Sequence, residues 1–133
     1  MSVGLLLVTH GKIGHLLLET MSDMLGELPL LADVLEVRRV QATDALLSQG
    51  HRAIERLDSG QGVLLLTDAY GSTPSNIAGK LSACANTALV AGVNLPMLVR
   101  VFNYPDKPLP ELARLAVEAG QKGVMICPDA GRH

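Results

Sequence analysis

The stretch LLLVTHGKIG, residues 5–14, decides how the rest of the chain is interpreted. Its apolar run, Leu5–Val8, continues directly into Thr9, His10 and Gly11. An apolar run of this length is typical of a strand that is covered on both faces. Such a strand presents a histidine at its end, and the glycine behind it places no side chain next to the ring. The pattern indicates that the strand holds His10 at the edge of a sheet.

Short apolar runs recur along the chain and alternate with stretches of helical spacing. The predicted strands are Val3–Val8, Val34–Val37, Val63–Thr67, Ala88–Val93 and Gly123–Cys127. The predicted helices are Ile13–Leu25, Thr43–Leu57, Ser75–Ala85 and Leu109–Ala119. Because right-handed βαβ crossovers place helices on both faces of a parallel sheet, we predict an α/β fold. Its doubly wound, mainly parallel sheet has the strand order 2-1-3-4, and residues 1–133 form a single domain.

The composition excludes several classes of protein. Hydrophobic residues make up 48% of the chain and aromatic residues only 2%, so the core is aliphatic. With a net charge of −2 and no basic block, a nucleic-acid surface is not expected. No apolar run reaches the length of a membrane span and the N-terminus has no signal-peptide pattern, so we predict a cytoplasmic protein. Cys84 and Cys127 stand far apart without zinc-ligand spacing, so we expect two reduced, buried thiols and no metal site.

Two strand ends carry the candidate catalytic residues. Ligands of open α/β sheets bind beyond the carboxyl ends of the strands, at the switch point between strands 1 and 3 for this order. His10 follows the first strand and Asp68 follows the third, so we expect their side chains to meet. A carboxylate that accepts a hydrogen bond from Nδ1 orients the ring and leaves Nε2 as a nucleophile or general base. A purely structural hydrogen bond is the alternative interpretation.

The loop after Asp68, AYGSTPS at residues 69–75, has the features of a helix start. Pro74 suits the first helical turn, and Ser72 or Thr73 can cap it. The free N–H groups and positive dipole end of such a helix bind anions, most naturally a phosphoryl group. The histidine, the aspartate and the anion pocket together indicate a phosphohistidine site. The alternative interpretation of the loop is that it forms an ordinary helix cap and binds no anion. Because P-loop, dinucleotide and nucleophile-elbow motifs are lacking, we expect no cofactor.

Three motifs of the chain resemble a known family. LLLVTHG, GVLLLTDAYGSTPSN and VAGVNLPML, in this order and spacing, are similar to the EIIA component of the mannose-type phosphotransferase system. The resemblance implies a phosphotransferase that accepts a phosphoryl group from phospho-HPr. It then passes the group to an EIIB component, in sugar uptake or in a regulatory phosphorelay. It also implies that His10 is phosphorylated through Nε2 and oriented by Asp68, in a pocket lined by Thr9, Gly71, Ser72 and Thr73.

The resemblance also implies an assembly. Members of the family are usually homodimers in which a short antiparallel edge strand is contributed at the interface, and Gly123–Cys127 is the candidate for that strand. The chain would be peripheral to a membrane permease at most. The loop departs from the family, which often has a second glycine where this chain has Ser72. A side chain there is costly if the backbone requires a positive φ, but the hydroxyl can also bind phosphate.

The sequence leaves further functions open. Within the same fold, the chain also resembles the phosphoryl-donor subunit of dihydroxyacetone kinases, which implies as an alternative that the acceptor is an ADP bound to another subunit. A non-catalytic docking or regulatory module, or a hydrolase that uses His10 as a general base, would also be compatible with these residues. We expect a rim for partner proteins around His10, formed by Leu95, Met97, Tyr70 and the Phe102–Pro105 loop. The roles of His15 and Tyr70 are not decided by the sequence.

Overall fold

The structure is a computed structural model that describes residues 2–83 and 86–128. Its sheet has four parallel strands in the order β2-β1-β3-β4, as predicted. The strands are β1 (Gly4–His10), β2 (Ala32–Val37), β3 (Val63–Thr67) and β4 (Thr87–Ala91). Cys84, His133 and the predicted helix end at Ala85 lie outside the described residues.

Five helices connect and cover these strands: α1 (Ile13–Leu25), α2 (Thr43–Leu57), α3 (Thr73–Leu81), α4 (Leu95–Asn103) and α5 (Leu109–Lys122). The predicted bounds of α1 and α2 are confirmed. Helix α4 was not predicted from the sequence. It begins at an Asn94 cap, whose side chain accepts a hydrogen bond from the N–H of Met97 at 3.0 Å, and Pro96 occupies its first turn.

The core has two parts, one on each face of the sheet. On one face, α1, α4 and α5 pack against alternate residues of β1 and β3, including Leu5, Leu7 and Leu64. On the other face, α2 and α3 pack against the residues between them, such as Leu6 and Val8. Because β1 and β3 are covered on both sides and flanked by strands, their apolar residues are fully buried. These two strands are the rigid centre of the molecule.

The alternation of side chains along β1 decides where its last two residues point. Leu6 and Val8 face α2 and α3, so His10 continues on that face. Leu5 and Leu7 face the α1 side, so Thr9 continues there. Strand β1 is longer than predicted and includes His10, which pairs with Val37 of β2. The histidine is therefore held by the sheet and not by a loop.

In the single chain, residues 123–127 do not form the strand that the sequence predicted. Helix α5 ends at Lys122, and residues 124–128 form no strand with any described residue. The predicted antiparallel edge strand at Gly123–Cys127 is therefore not formed here. The physical reason is that Gly123 directly follows α5, so this short stretch leaves the sheet. Val124, Met125 and Ile126 are all well exposed.

Candidate functional site

His10 and Asp68 form a hydrogen-bonded pair at the carboxyl edge of the sheet. Nδ1 of His10 lies 2.7 Å from Oδ2 of Asp68, and the backbone N–H of His10 donates to the same oxygen at 2.9 Å. The histidine side chain is 52% exposed, whereas the carboxylate is only 13% exposed. Asp68 follows β3 directly, so neighbouring strands hold both members of the pair. The structure therefore brings together the two residues that the sequence predicted.

The electrostatics of Asp68 keep its carboxylate ionised. Burial by itself raises its pKa, but the hydrogen bonds from the His10 backbone and ring outweigh burial, so that the pKa of Asp68 is lowered. The N–H of Ala69 also donates to Oδ1 at 3.0 Å. An ionised carboxylate can only accept hydrogen bonds, so Nδ1 of His10 is the protonated ring nitrogen. This assignment leaves the lone pair on Nε2, on the far side of the ring from Asp68.

The turn before α3 is built by Gly71 and Ser72. Gly71 has φ +86°, a conformation that glycine adopts without strain. Ser72 has φ −85° and ψ 171°, so its side chain causes no strain at the position where a second glycine is frequent. Its hydroxyl donates to the carbonyl of Ala69 at 2.6 Å and accepts from the N–H of Ser75 at 3.5 Å. Ser72 is therefore the N-cap of α3, and its hydroxyl proton is engaged within the turn.

Thr73 is the first residue of α3 and lines the same cavity as His10. None of the hydrogen bonds among the described residues uses its backbone N–H or its hydroxyl. The first turn of a helix carries a partial positive charge. Thr73 therefore offers two donors to an anion beside the histidine.

Thr9 lies on the opposite face of β1 from His10. Its side chain is completely buried, and Oγ1 accepts a hydrogen bond from the N–H of Gly14 at 2.8 Å. A Cβ atom at Gly14 would lie 2.7 Å from Cγ1 of Val34 and 2.9 Å from Oγ1 of Thr9. Helix α1 therefore starts in tight contact with the sheet. The structure places Thr9 under α1 and not with Thr73 and His10.

The surface around His10 differs from the predicted rim. Met97 and Phe102 were expected there, but both are buried in the core because they lie on the sheet-facing side of α4. The exposed apolar residues in the segments after β1 and β3 include Ile13 and Leu16 of α1 and Tyr70, which is 90% exposed. These side chains follow the strand ends that carry His10 and Asp68.

A charged network lies between α1 and the end of β2. Nε2 of His15 is 3.2 Å from a carboxylate oxygen of Glu36, and Arg38 donates to the other oxygen at 2.7 Å. The hydrogen bond from Arg38 is the main reason why the pKa of Glu36 is lowered; burial opposes it, and the charges of Arg38 and His15 add to the lowering. His15, which lies in the helix after His10, is therefore paired with Glu36.

Sequence reasoning missed one part of the site, a cavity of about 540 Å³ beside His10. It is lined by His10, Val37, Arg38, Arg39, Gln41, Thr43, Leu46, Thr73 and Ile77. Six of these nine residues lie between the end of β2 and the first two turns of α2. The available signal was that β2 neighbours β1, so the residues after Val37 also reach the edge where His10 lies.

The described part of the chain has neither a metal cluster nor a membrane-spanning helix. Residues 2–83 and 86–128 contain no group of three or more His, Cys, Asp or Glu side chains that could hold a metal ion. Within the same ranges, none of the helices has both the length and the apolar character needed to cross a membrane. Cys127 is an exposed free thiol, so the expectation that it is buried is wrong.

Comparison with known proteins identifies a family. Residues 4–109 match the model of the EIIA-man family, described as the PTS system fructose IIA component. The chain is 33% identical over 127 residues to the PTS system mannose-specific EIIAB component of Escherichia coli K12. This match covers 93% of the chain but only 39% of that longer relative.

Solved structures share the fold. The mannose/sorbose specific IIA subunit of the phosphotransferase system from Enterococcus faecalis has 25% identity and a TM-score of 0.84, and the match covers 96% of both chains. The PTS IIA protein associated with the fucose utilization operon of Streptococcus pneumoniae has 25% identity and a TM-score of 0.78. That match covers 95% of this chain and 96% of the other.

Proposed function

We infer that this chain, which belongs to the EIIA-man family of phosphotransferase-system components, is a phosphocarrier whose acceptor is Nε2 of His10. The family membership indicated by its three sequence motifs is confirmed. The proposed donor is the phosphohistidine of HPr, and the proposed acceptor is a histidine of an EIIB component or of a regulatory target. Residues 1–133 would act as one phosphocarrier domain in the cytoplasm.

One observation carries this proposal: the hydrogen bond of 2.7 Å between Nδ1 of His10 and Asp68. It holds the ring in one orientation and, in the neutral ring, places the lone pair on Nε2, as a nucleophile toward phosphorus requires. The ring is half exposed, so the phosphohistidine of another protein can approach it. Asp68 itself is largely covered and acts as the orienting group.

The proposed reaction is an in-line transfer between two histidines. The lone pair of Nε2 forms a bond to phosphorus while the bond from phosphorus to the donor histidine nitrogen breaks. The electrons of the broken bond remain on the donor ring. Positive charge develops on the His10 ring, and Asp68 stabilises it through Nδ1–H. Thr73 and the first turn of α3 provide donors for the phosphoryl oxygens.

Thr9, Gly71 and Ser72 contribute to this site indirectly. Gly71 and Ser72 set the turn that starts α3 next to His10. Thr9 fixes the start of α1 through Gly14, and this positions the segment that follows His10. We therefore propose a positioning role for these three residues and direct phosphoryl contacts for Thr73.

We also propose that the protein forms a homodimer, on the basis of the free edge of β4 and the exposed stretch after α5. β4 pairs only with β3 in the described chain, so its other edge is unpaired. A surface groove of about 560 Å³ beside this strand is lined by Leu89, Val90 and residues of α5. The exposed apolar stretch Val124–Ile126 follows α5 directly. We propose that this stretch pairs with the β4 edge of a second copy, which would form the predicted antiparallel strand.

The dimer proposal is tested by analytical ultracentrifugation of wild-type protein and an Ile126→Asp variant. Ile126 is 98% exposed in the single chain, so the substitution cannot disturb a monomer core. We expect a dimer for the wild type and a monomer for the variant. A wild-type monomer over the whole concentration range would contradict the proposal.

The phosphocarrier proposal is tested by incubation with phosphoenolpyruvate, Enzyme I and HPr. We expect one acid-labile phosphoryl group by intact mass, located on His10 by site mapping. His10→Ala should take up none, and His15→Ala is the matched control because His15 is paired with Glu36. Undiminished labelling of His10→Ala would remove this residue from the mechanism. No labelling of folded wild-type protein by active HPr would favour a docking module or a different donor.

A further inference from the structure

The cavity beside His10 is large enough for more than a phosphoryl group. Its volume of about 540 Å³ falls within the range of roughly 300–1,000 Å³ that is typical of small-molecule sites. His10 forms one wall, and the opposite walls come from the segment that joins β2 to α2. A molecule in this cavity would therefore lie against the reactive ring.

The lining of the cavity combines an apolar floor with hydrogen-bond donors. Val37 and Leu46 are buried and belong to the core between the sheet and helices α2 and α3, as does Ile77. The polar lining residues carry guanidinium, amide and hydroxyl groups, and no Asp or Glu is among the described residues that line the cavity. A protein with a net charge of −2 thus has a cavity without carboxylates.

The two arginines of this segment have different surroundings. Arg38 donates to Glu36 at 2.7 Å, so its charge is balanced within the chain. No hydrogen bond or ion pair among the described residues uses the guanidinium of Arg39. Oε1 of Gln41 accepts from the N–H of Arg38 at 2.8 Å, which leaves the amide NH2 of Gln41 as a donor. Among the residues that line the cavity, the charge without a partner is therefore the positive charge of Arg39.

The start of α2 adds further donors. Its N-cap residue is Ala42, which cannot cap with its side chain, so N–H groups of the first turn lack an internal acceptor. Thr43, the first residue of this 15-residue helix, lines the cavity. Guanidinium, amide, hydroxyl and backbone N–H groups together match the terminal oxygens of a phosphate monoester.

We propose that this cavity binds a small organic phosphate, with the phosphate group at Arg39 and the start of α2 and the carbon skeleton over Val37, Leu46 and Ile77. Because His10 is a wall of the cavity, the bound molecule would also hinder the approach of a phosphoryl donor to Nε2. This second consequence rests on the proposed phosphocarrier function. The binding itself does not.

Binding is tested by calorimetric titration of the unphosphorylated protein with glucose 6-phosphate, glucose and inorganic phosphate as probes. We expect glucose 6-phosphate to bind, glucose not to bind, and inorganic phosphate to bind more weakly because it lacks the carbon skeleton. Arg39→Ala should weaken the binding of glucose 6-phosphate by about tenfold or more, since it removes a charged hydrogen-bond donor. Arg52→Ala is the matched control, because Arg52 lies on the third turn of α2 and bonds to Ser48.

A second variant tests the cavity without changing a charge. Thr43→Phe should fill the mouth of the cavity and abolish binding, and circular dichroism should show that both variants remain folded. Binding that survives both Arg39→Ala and Thr43→Phe, or equal binding of glucose 6-phosphate and inorganic phosphate, would overturn the proposal.

The two functions are separated by measuring phosphorylation of His10 by phospho-HPr in the same samples. We expect glucose 6-phosphate to slow the phosphorylation of wild-type protein and to have no effect on Arg39→Ala. Phosphorylation without any binding of the probes would overturn the cavity proposal and leave the phosphocarrier function standing. Binding of glucose 6-phosphate without phosphorylation of His10 would support the cavity proposal and contradict the phosphocarrier function. If Arg39→Ala shortens only the lifetime of phospho-His10, the cavity serves the phosphoryl group alone and the proposal fails.

Discussion

Replacing Asp68 by asparagine separates the orienting role of this residue from its electrostatic role. The amide oxygen of Asn can accept the two hydrogen bonds that Oδ2 now accepts, at 2.7 Å from the ring and 2.9 Å from the backbone of His10. The orientation of the ring is therefore kept, but the negative charge is lost. Only an interaction that becomes stronger in the transition state accelerates the transfer. In the proposed reaction, the bond between carboxylate and ring meets this condition because the ring gains positive charge as Nε2 attacks.

The size of the effect follows from the two kinds of hydrogen bond. A bond to a charged group contributes about 1.5–3 kcal/mol and a neutral bond about 0.5–1.5 kcal/mol, a difference of about 1–2 kcal/mol. We therefore expect Asp68→Asn to slow phosphoryl transfer from phospho-HPr by roughly 5–30-fold. Asp68→Ala should slow it further because the ring also loses its orientation. The assay is single-turnover transfer from phospho-HPr, followed by rapid quench.

Asp33→Asn is the matched control for this experiment. Asp33 pairs with Arg56 at 3.1 Å near the start of β2, at the opposite end of the sheet from His10. This variant should transfer at the wild-type rate. An unchanged rate in folded Asp68→Asn would show that the carboxylate charge is not coupled to the reaction.

Three other changes test the structure around the site. Gly14→Ala should lower the free energy of unfolding by about 1–3 kcal/mol in urea titrations, because its Cβ would lie 2.7 Å from Val34, whereas Gly79→Ala has open space and should be neutral or stabilising. Ser72→Ala should cost about 0.5–2 kcal/mol of stability through the lost cap of α3, and Ser72→Gly only a few tenths; equal losses would contradict the cap. The lowered pKa of Asp68 stabilises the fold above its unfolded-state pKa of about 3.9, and this contribution disappears as pH falls through the folded-state value. Urea midpoints should therefore fall more steeply below about pH 4 in the wild type than in Asp68→Asn.

Local sequence patterns were sufficient to predict the strands of the sheet, the start of α3 and the two residues that meet at the strand ends. The apolar runs predicted all four strands of the sheet, the general pattern of small doubly wound sheets supplied their order, and Pro74 with Ser72 predicted the start of α3. The pair of His10 and Asp68 was also predictable, because parallel strands end at a common edge and strands 1 and 3 are neighbours.

Helix α4 and the cavity depend on information that the apolar pattern does not contain. The run Leu95–Phe102 is almost continuously apolar, so its period does not distinguish a helix from a strand or an apolar loop. The Asn94 cap with Pro96 was the local signal for a helix. The cavity needs the path of the chain after Val37, where a turn brings Arg39 back toward His10. No periodic pattern encodes that path.

The neighbouring residues Thr9 and His10 have different roles because their side chains lie on opposite faces of the sheet. Successive side chains of a strand point to opposite faces, so a strand that ends at the site can send only one of its last two residues into it. Thr9 is fully buried and holds the start of α1, while His10 is half exposed and faces the cavity. A shift of one residue in the pairing of β1 would exchange these positions and bury the histidine under α1. The pairing of His10 with Val37 and of Val8 with Thr67 is therefore what leaves the histidine ring exposed at the cavity.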